Sequence, residues 1–337
     1  MKYFFLCLSF FVSHWYIAQS RQLYHQYMLN PGYFNPANID VQTRYGGTMT
    51  YINDYAGMSE SPKGIGLYGH YNLKPSQGVA ASLINDNFGK YNQLEVSGSY
   101  AYKIWPKGKG VCYSLGARFG FSQHSLNQEK LSYESSRING YLDPTLDDPK
   151  TASLGISLGF GGTIITRNFD FNISMPSITR NKLPSSATDT TRSLFDLSNG
   201  TLFIHSGYKF RSRESWFVFY PTILMKTAGD GVPLQFGGDL NFLINQIVWT
   251  SVGYRSDNTL TSSLGIFSDL GFRVIYSYHS ALLSAHASTK FSHEISLGYA
   301  LTLPDPFYYR QHLTRSGKWK YLNIFKKATN KFYKLIR

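Results

Sequence analysis

The side chains able to do chemistry are few and scattered. The 337-residue chain has 20 Asp and Glu. Its glutamates are Glu60, Glu95, Glu129, Glu134, Glu214 and Glu294. None forms a tight pair with a second carboxylate, as divided acid and base roles would need. Asp147-Asp148, with Asp143 nearby, could offer oxygens to a divalent ion, but a solvated loop explains the same residues. His279, His286 and His293 recur every seven residues. That spacing matches no usual zinc arrangement, and on an extended chain adjacent members of the series face opposite ways. Ser, His and Asp are plentiful without a G-x-S-x-G turn, a phosphate loop or a dinucleotide fingerprint. The residues call for no catalytic centre, no metal and no cofactor.

The elements that would have to position a site are strands. Only 16% of residues are charged and 16% are aromatic, against about 25% charged in an average globular protein. An apolar share of 42% argues against disorder. No run of roughly 18 uncharged apolar residues exists for a spanning helix. Alternation with period two is pervasive instead. In 113–122, Tyr113, Leu115, Ala117, Phe119 and Phe121 share one face, opposite Ser114, Gly116, Arg118, Gly120 and Ser122. The segments 270–278 and 295–303 repeat the pattern.

A soluble sandwich also alternates, but three features favour a transmembrane outer-membrane β-barrel. The segments are long enough to cross a bilayer at a tilt, their ends are rich in Tyr and Phe, and the hidden face is small and polar rather than bulky. The reading is all-β, about 14 antiparallel strands, within a range of 12 to 16. Long connections are expected at 123–151 and 176–199, on the outer side. Arg118, Arg273, His70 and His205 are expected to face the lumen and brace it.

Four regions follow. Residues 1–20 read as a cleaved signal peptide, with Lys2, an apolar core over 3–12 and Ala18-Gln19-Ser20 as the cutting region. Removing it leaves Cys112 as the one cysteine. Residues 21–43 carry Asn30-Pro31 and Asn35-Pro36, two rigid turns in which Pro fixes φ and Asn caps the local backbone. This segment either plugs the barrel mouth, on the periplasmic side, or leads into strand one. Residues 44–303 form the barrel. Residues 304–337 form a basic tail carrying +8 of the chain's net +13. There Trp319, Phe325 and Phe332 fall on one stripe of an amphipathic helix, and Lys320, Lys326 and Lys327 lie around it. The tail is either a solvated basic end or docks on a membrane surface or acidic partner. Nucleic acid is not expected for an exported chain.

Ser296-Leu297-Gly298-Tyr299-Ala300-Leu301-Thr302-Leu303 resembles the final-strand signal read by the barrel-assembly machinery. A wider resemblance joins it. The opening Gln26-Tyr27-Met28-x-Asn30-Pro31 and Asn35-Pro36-Ala37 resembles the PorP/SprF family of the type IX secretion system. So do Lys226, Pro233, Gln235, Asp239 and Asn241, then Tyr254-Arg255, and finally His293-Glu294. The likeness runs in order over about 24–303; the basic tail lies outside it. The resemblance implies a non-enzymatic barrel in the cell outer membrane. It would support secretion or surface anchoring of a specific, adhesin-like client with a C-terminal sorting domain. Its implied partners are outer-membrane lipids, the secretion machinery, and periplasmic or peptidoglycan-linked components. In some relatives it is tied to gliding motility. No small-molecule substrate is expected. The rival reading is a substrate-uptake channel, which would show a dense lining of one charge sign; only scattered Arg and His are seen.

Overall fold

The computed structural model describes residues 26–27, 30–58, 60–106, 110–127, 150–178, 200–212, 216–228, 234–268, 270–282 and 291–302. The expected signal peptide, the tail with its expected helix, Met28, Pro233, the Asp143–Asp148 stretch and His286 lie outside them.

Strands form wherever the sequence alternates. They are β1 (Thr43–Asn53), β2 (Lys63–Lys74), β3 (Gln77–Phe88), β4 (Tyr91–Ile104), β5 (Val111–Asn127), β6 (Lys150–Thr166), β7 (Phe169–Ile178), β8 (Thr201–Tyr208), β9 (Phe210–Arg211), β10 (Phe217–Ala228), β11 (Gln235–Ile244), β12 (Val248–Arg255), β13 (Thr259–Phe267), β14 (Phe272–Ala281) and β15 (Phe291–Thr302). Each pairs antiparallel with its neighbours, and β1 pairs with β15, which closes the sheet on itself. β8 and β9 are one stave. Both pair with β10 in one register, interrupted where Tyr208 and Lys209 pass Pro221 and Tyr220. Pro221 has no N–H to give the ladder. The described residues thus make a closed barrel of fourteen staves, as the alternation predicts.

An even number of staves brings the start of β1 and the end of β15 to one end, here called the entry end. Its turns are tight, such as 75–76 and 167–168. The far end bears the long connections, alongside the two-residue turn at 89–90. The expected connections 123–151 and 176–199 begin later than predicted. β5 continues to Asn127, pairs there with Lys150, and β7 continues to Ile178. Here the outward positions of β5, Gln123 and Ser125, turn polar, so hydrophobic alternation stops while the ladder goes on. Seventeen residues at about 3.4 Å each are roughly 58 Å long, and at a tilt of about 40° they rise roughly 44 Å, against a lipid band about 25 Å tall. The β5–β6 hairpin therefore rises past the bilayer at the far end.

The two faces differ as the sequence predicts. On β5, Leu115, Phe119 and Phe121 are exposed, while Ser114, Arg118 and Ser122 are buried. The exposed residues turn outward to lipid. Tyr45, Tyr71, Tyr102, Tyr113 and Trp216 stand exposed near the entry end, where an interfacial aromatic girdle belongs.

Candidate functional site

Many inward side chains are small, such as Ser114, Gly116, Gly161 and Thr163, which leaves room at the centre of the ring. The N-terminal segment takes that room. Tyr27, Asn30, Tyr33, Asn35, Ala37 and Ile39 are buried, and their partners lie on strands all round the ring. The segment sits inside the barrel rather than below its mouth.

Two wall glycines show how closely it fits. A Cβ at Gly116 would meet the backbone of Pro36 and Ala37, and one at Gly161 would meet the Asn35 side chain. Two apolar clusters pack the remainder. Tyr33 joins Ile52, Tyr68 and Ile84; Tyr27 joins Phe203 and Leu224; Phe34 lies against both. A small cavity remains between Tyr27, Phe34, Asn35, Phe203 and His205.

Polar contacts fix the backbone. Arg118 Nη1 donates to the Tyr33 carbonyl at 2.8 Å, and Nη2 donates to the Gly32 carbonyl. Arg273 Nη2 donates to Asn30 Oδ1 at 3.2 Å and to Thr48 Oγ1 at 2.8 Å. Ser114 Oγ donates to the Ala37 carbonyl at 2.7 Å, and Ser174 Oγ to that of Phe34 at 2.8 Å. Such bonds satisfy carbonyls that burial would otherwise strand, and those from a guanidinium are the stronger kind. Arg118 and Arg273 thus brace a specific peptide rather than merely solvate a lumen.

The two Asn-Pro units behave differently. Asn35 Oδ1 accepts from Ala37 N at 2.9 Å, the local cap the sequence predicts. Its Nδ2 reaches the wall, donating to Thr163 Oγ1 at 3.0 Å and the Gly162 carbonyl at 3.1 Å. Asn30 makes no side-chain cap on the 3-10 turn Pro31–Tyr33. The expectation that both asparagines cap the backbone is corrected here. Arg273 competes for the Asn30 side chain, and a charged donor wins.

The first residues of the segment meet a second group of predicted residues. Tyr27 OH donates to Asp239 Oδ2 at 2.6 Å and lies 3.3 Å from Thr222 Oγ1. Gln26 Nε2 donates to Ser277 Oγ at 2.9 Å, and Gln26 N to Glu294 Oε1 at 3.4 Å. Asn241 Nδ2 donates to the Tyr220 carbonyl at 2.8 Å, one strand away. Burial, then the Asp239 charge, pushes the Tyr27 hydroxyl well above its ordinary pKa; burial does the same to Tyr33.

The structure therefore gathers Gln26, Tyr27, Asn30, Asn35, Asp239 and Glu294 with buried Pro36 and Asn241. Lys226 is buried on the inward face, its ammonium 5.9 Å from the Phe203 ring. Gln235 and Arg255 are half-buried at the far ends of their strands. Tyr254 and His293 turn outward instead. Tyr254 OH donates to Asn258 Oδ1, and His293 Nδ1 pairs with the exposed Tyr276 hydroxyl, each at 2.8 Å. Thr163, Asn172 and Thr222 were not singled out by the sequence; inward strand parity was their one signal. Among the described residues no three His, Cys, Asp or Glu gather as metal ligands.

A closed sheet with an apolar outside, an aromatic girdle and a filled bore defines an integral membrane β-barrel. Residues 17–299 match the family described as type IX secretion system membrane protein PorP/SprF. The chain belongs to that family. No curated relative matches it. Among solved structures it is similar to Omp33 of Acinetobacter baumannii, with 7% identity, TM-score 0.45, and 77% of this chain and 99% of that one covered. It is also similar to the CymD monoaromatic hydrocarbon channel, with 11% identity, TM-score 0.46, and 85% and 95% covered. The P. putida toluene transporter TodX follows, with 10% identity, TM-score 0.42, and 82% and 95% covered.

Proposed function

We propose that this barrel is an outer-membrane station of type IX secretion that holds or displays one exported client and does not conduct solutes. The observation that carries the reading is the filled bore, in a chain of the PorP/SprF family. A conduit needs a continuous polar passage. Here Arg118, Arg273 and Asp239 are committed to the N-terminal segment.

In this reading the client is an adhesin-like protein with a C-terminal sorting domain. The far end, with the tall β5–β6 hairpin, faces outward. The entry end and the basic tail with Trp319, Lys320, Phe325, Lys326, Lys327 and Phe332 face periplasmic and peptidoglycan-linked parts of the machine. In a gliding host, loss of the protein would slow gliding through loss of the displayed adhesin.

Deleting the gene should abolish surface display of one client and leave small-solute uptake unchanged. Normal display with reduced uptake would overturn the proposal in favour of the uptake channel.

A further inference from the structure

The cavity beside the N-terminal segment lies where β7 and β8 face the bore. Asn172 on β7 pairs with His205 on β8, and Ser174 pairs with Phe203. All four turn inward and line the cavity, together with Leu224 of β10 and Phe34 of the segment. The cavity measures about 20 Å³. One water needs roughly 10 to 15 Å³ on the same measure.

Asn172 decides how the imidazole stands. Its Oδ1 accepts from Asn38 Nδ2 at 2.7 Å and from Thr163 Oγ1 at 3.0 Å. Its Nδ2 therefore points the other way. It donates to Asp170 Oδ2 at 3.2 Å and lies 3.2 Å from His205 Nδ1. A proton on Nδ1 would face that amide N–H; its other neighbour, Asp170 Oδ2, is further off at 3.4 Å. Nδ1 is thus the acceptor and Nε2 carries the ring proton. His205 is 8% exposed, and its Nε2 has no hydrogen-bond partner. The Tyr27 ring stands nearly perpendicular to the imidazole with centroids 5.2 Å apart, a contact too weak to replace an acceptor. Diagonally across the ladder, Ser174 Oγ donates to the Phe34 carbonyl at 2.8 Å and keeps its lone pairs.

We propose that the cavity is a binding site for one ordered water, which accepts from His205 Nε2 and donates to Ser174 Oγ. A path then runs from β8 through the water and Ser174 to the Phe34 carbonyl. Two staves grip the segment through a solvent molecule where no side chain reaches. A dry cavity would strand a buried N–H donor, and a bridging water is nearly as good a partner as a direct one. The site needs only the seated segment; it is independent of the secretion role.

The test uses the full chain in detergent micelles, perdeuterated and carrying isotope-labelled histidine. The His205 ring signals are identified by their loss in His205→Gln. NMR should show a proton on Nε2 and magnetisation transfer to it from water. Leu224→Phe should fill the cavity and abolish that transfer. Ser174→Ala removes the second partner of the water and should cut the transfer several-fold. Ile223→Ala, one residue along β10 on the outer face, should leave it unchanged. Heat-modifiable gel mobility would confirm that each variant is a folded barrel. A parent ring protonated on Nδ1 alone would overturn the proposal. So would an Nε2 proton that receives no transfer from water, or a transfer that survives Leu224→Phe in a folded barrel. Xenon taken up beside Phe203 in the parent would mark the cavity as dry and overturn it as well.

Discussion

Asn30-Pro31 and Asn35-Pro36 are the same dipeptide, five residues apart, inside the same barrel. Asn35 spends its carbonyl oxygen on its own turn and its amide on β6. Asn30 gives its oxygen to Arg273 on β14 and caps nothing. Proline sets the local bend in both, but the neighbouring wall decides what the asparagine does. Around Asn35 the wall supplies acceptors and the gaps above Gly116 and Gly161. Around Asn30 it supplies a cation. Identical local chemistry thus serves as a rivet in one place and as a counter-dipole in the other.

The sharpest way to break this contrast is Gly116→Leu. Its side chain would drive into Pro36 and Ala37, where backbone cannot yield. Overpacking of this kind costs about 3 kcal/mol, and it should unseat the Asn35 unit. Steady ionic conductance in planar bilayers, which the filled bore of the parent should prevent, is the expected result. Next comes Asn35→Ala, which removes the cap and the amide's bonds to β6, although Thr163 keeps Asn172. It should destabilise the seated segment by about 2 kcal/mol, read as faster hydrogen exchange at the Ala37 amide. Asn30→Ala should cost about 1 kcal/mol, because Arg273 keeps Thr48. If the two asparagine variants exchange equally fast, the contrast between them is lost.

The smallest effect is expected from pH. The Tyr27 and Tyr33 hydroxyls are raised in the folded chain, Tyr27 by burial and then Asp239, Tyr33 by burial. Their neutral forms support the seated segment fully below the free tyrosine value of about 10. That support falls as pH rises beyond it, because the released segment loses its protons first. Once the ordinary rise of base-catalysed exchange with pH is divided out, hydrogen exchange at 30–38 should still accelerate above that pH, and Tyr27→Phe should make that excess shallower.

The wall was legible because a strand with lipid on one side must alternate. Fourteen staves follow from residues such as Leu115, Phe119 and Ser122. The pattern failed at 123–127, where neither face meets lipid and only the ladder continues. The contents of the lumen were less legible. Small inward residues suit an open bore and a filled one equally, so Ser114 or Thr163 carries no label. Gly116 and Gly161, glycines at inward positions of neighbouring strands, were the available hint that another backbone comes close. The family pattern marked Asp239 and Glu294 but could not separate them from Tyr254 and His293, which turn outward. Whether a motif residue holds the segment depends on strand parity as well as identity.

Gln26 bonds to Ser277 and Glu294, 251 and 268 residues further along the chain. A segment made before any stave is therefore held by the last two staves. Closing the cylinder at the β1–β15 seam and locking the occupant within it become one late, cooperative step. An assembly intermediate short of its final hairpin would carry a loose guest in an unzipped host, and completion would convert both at once.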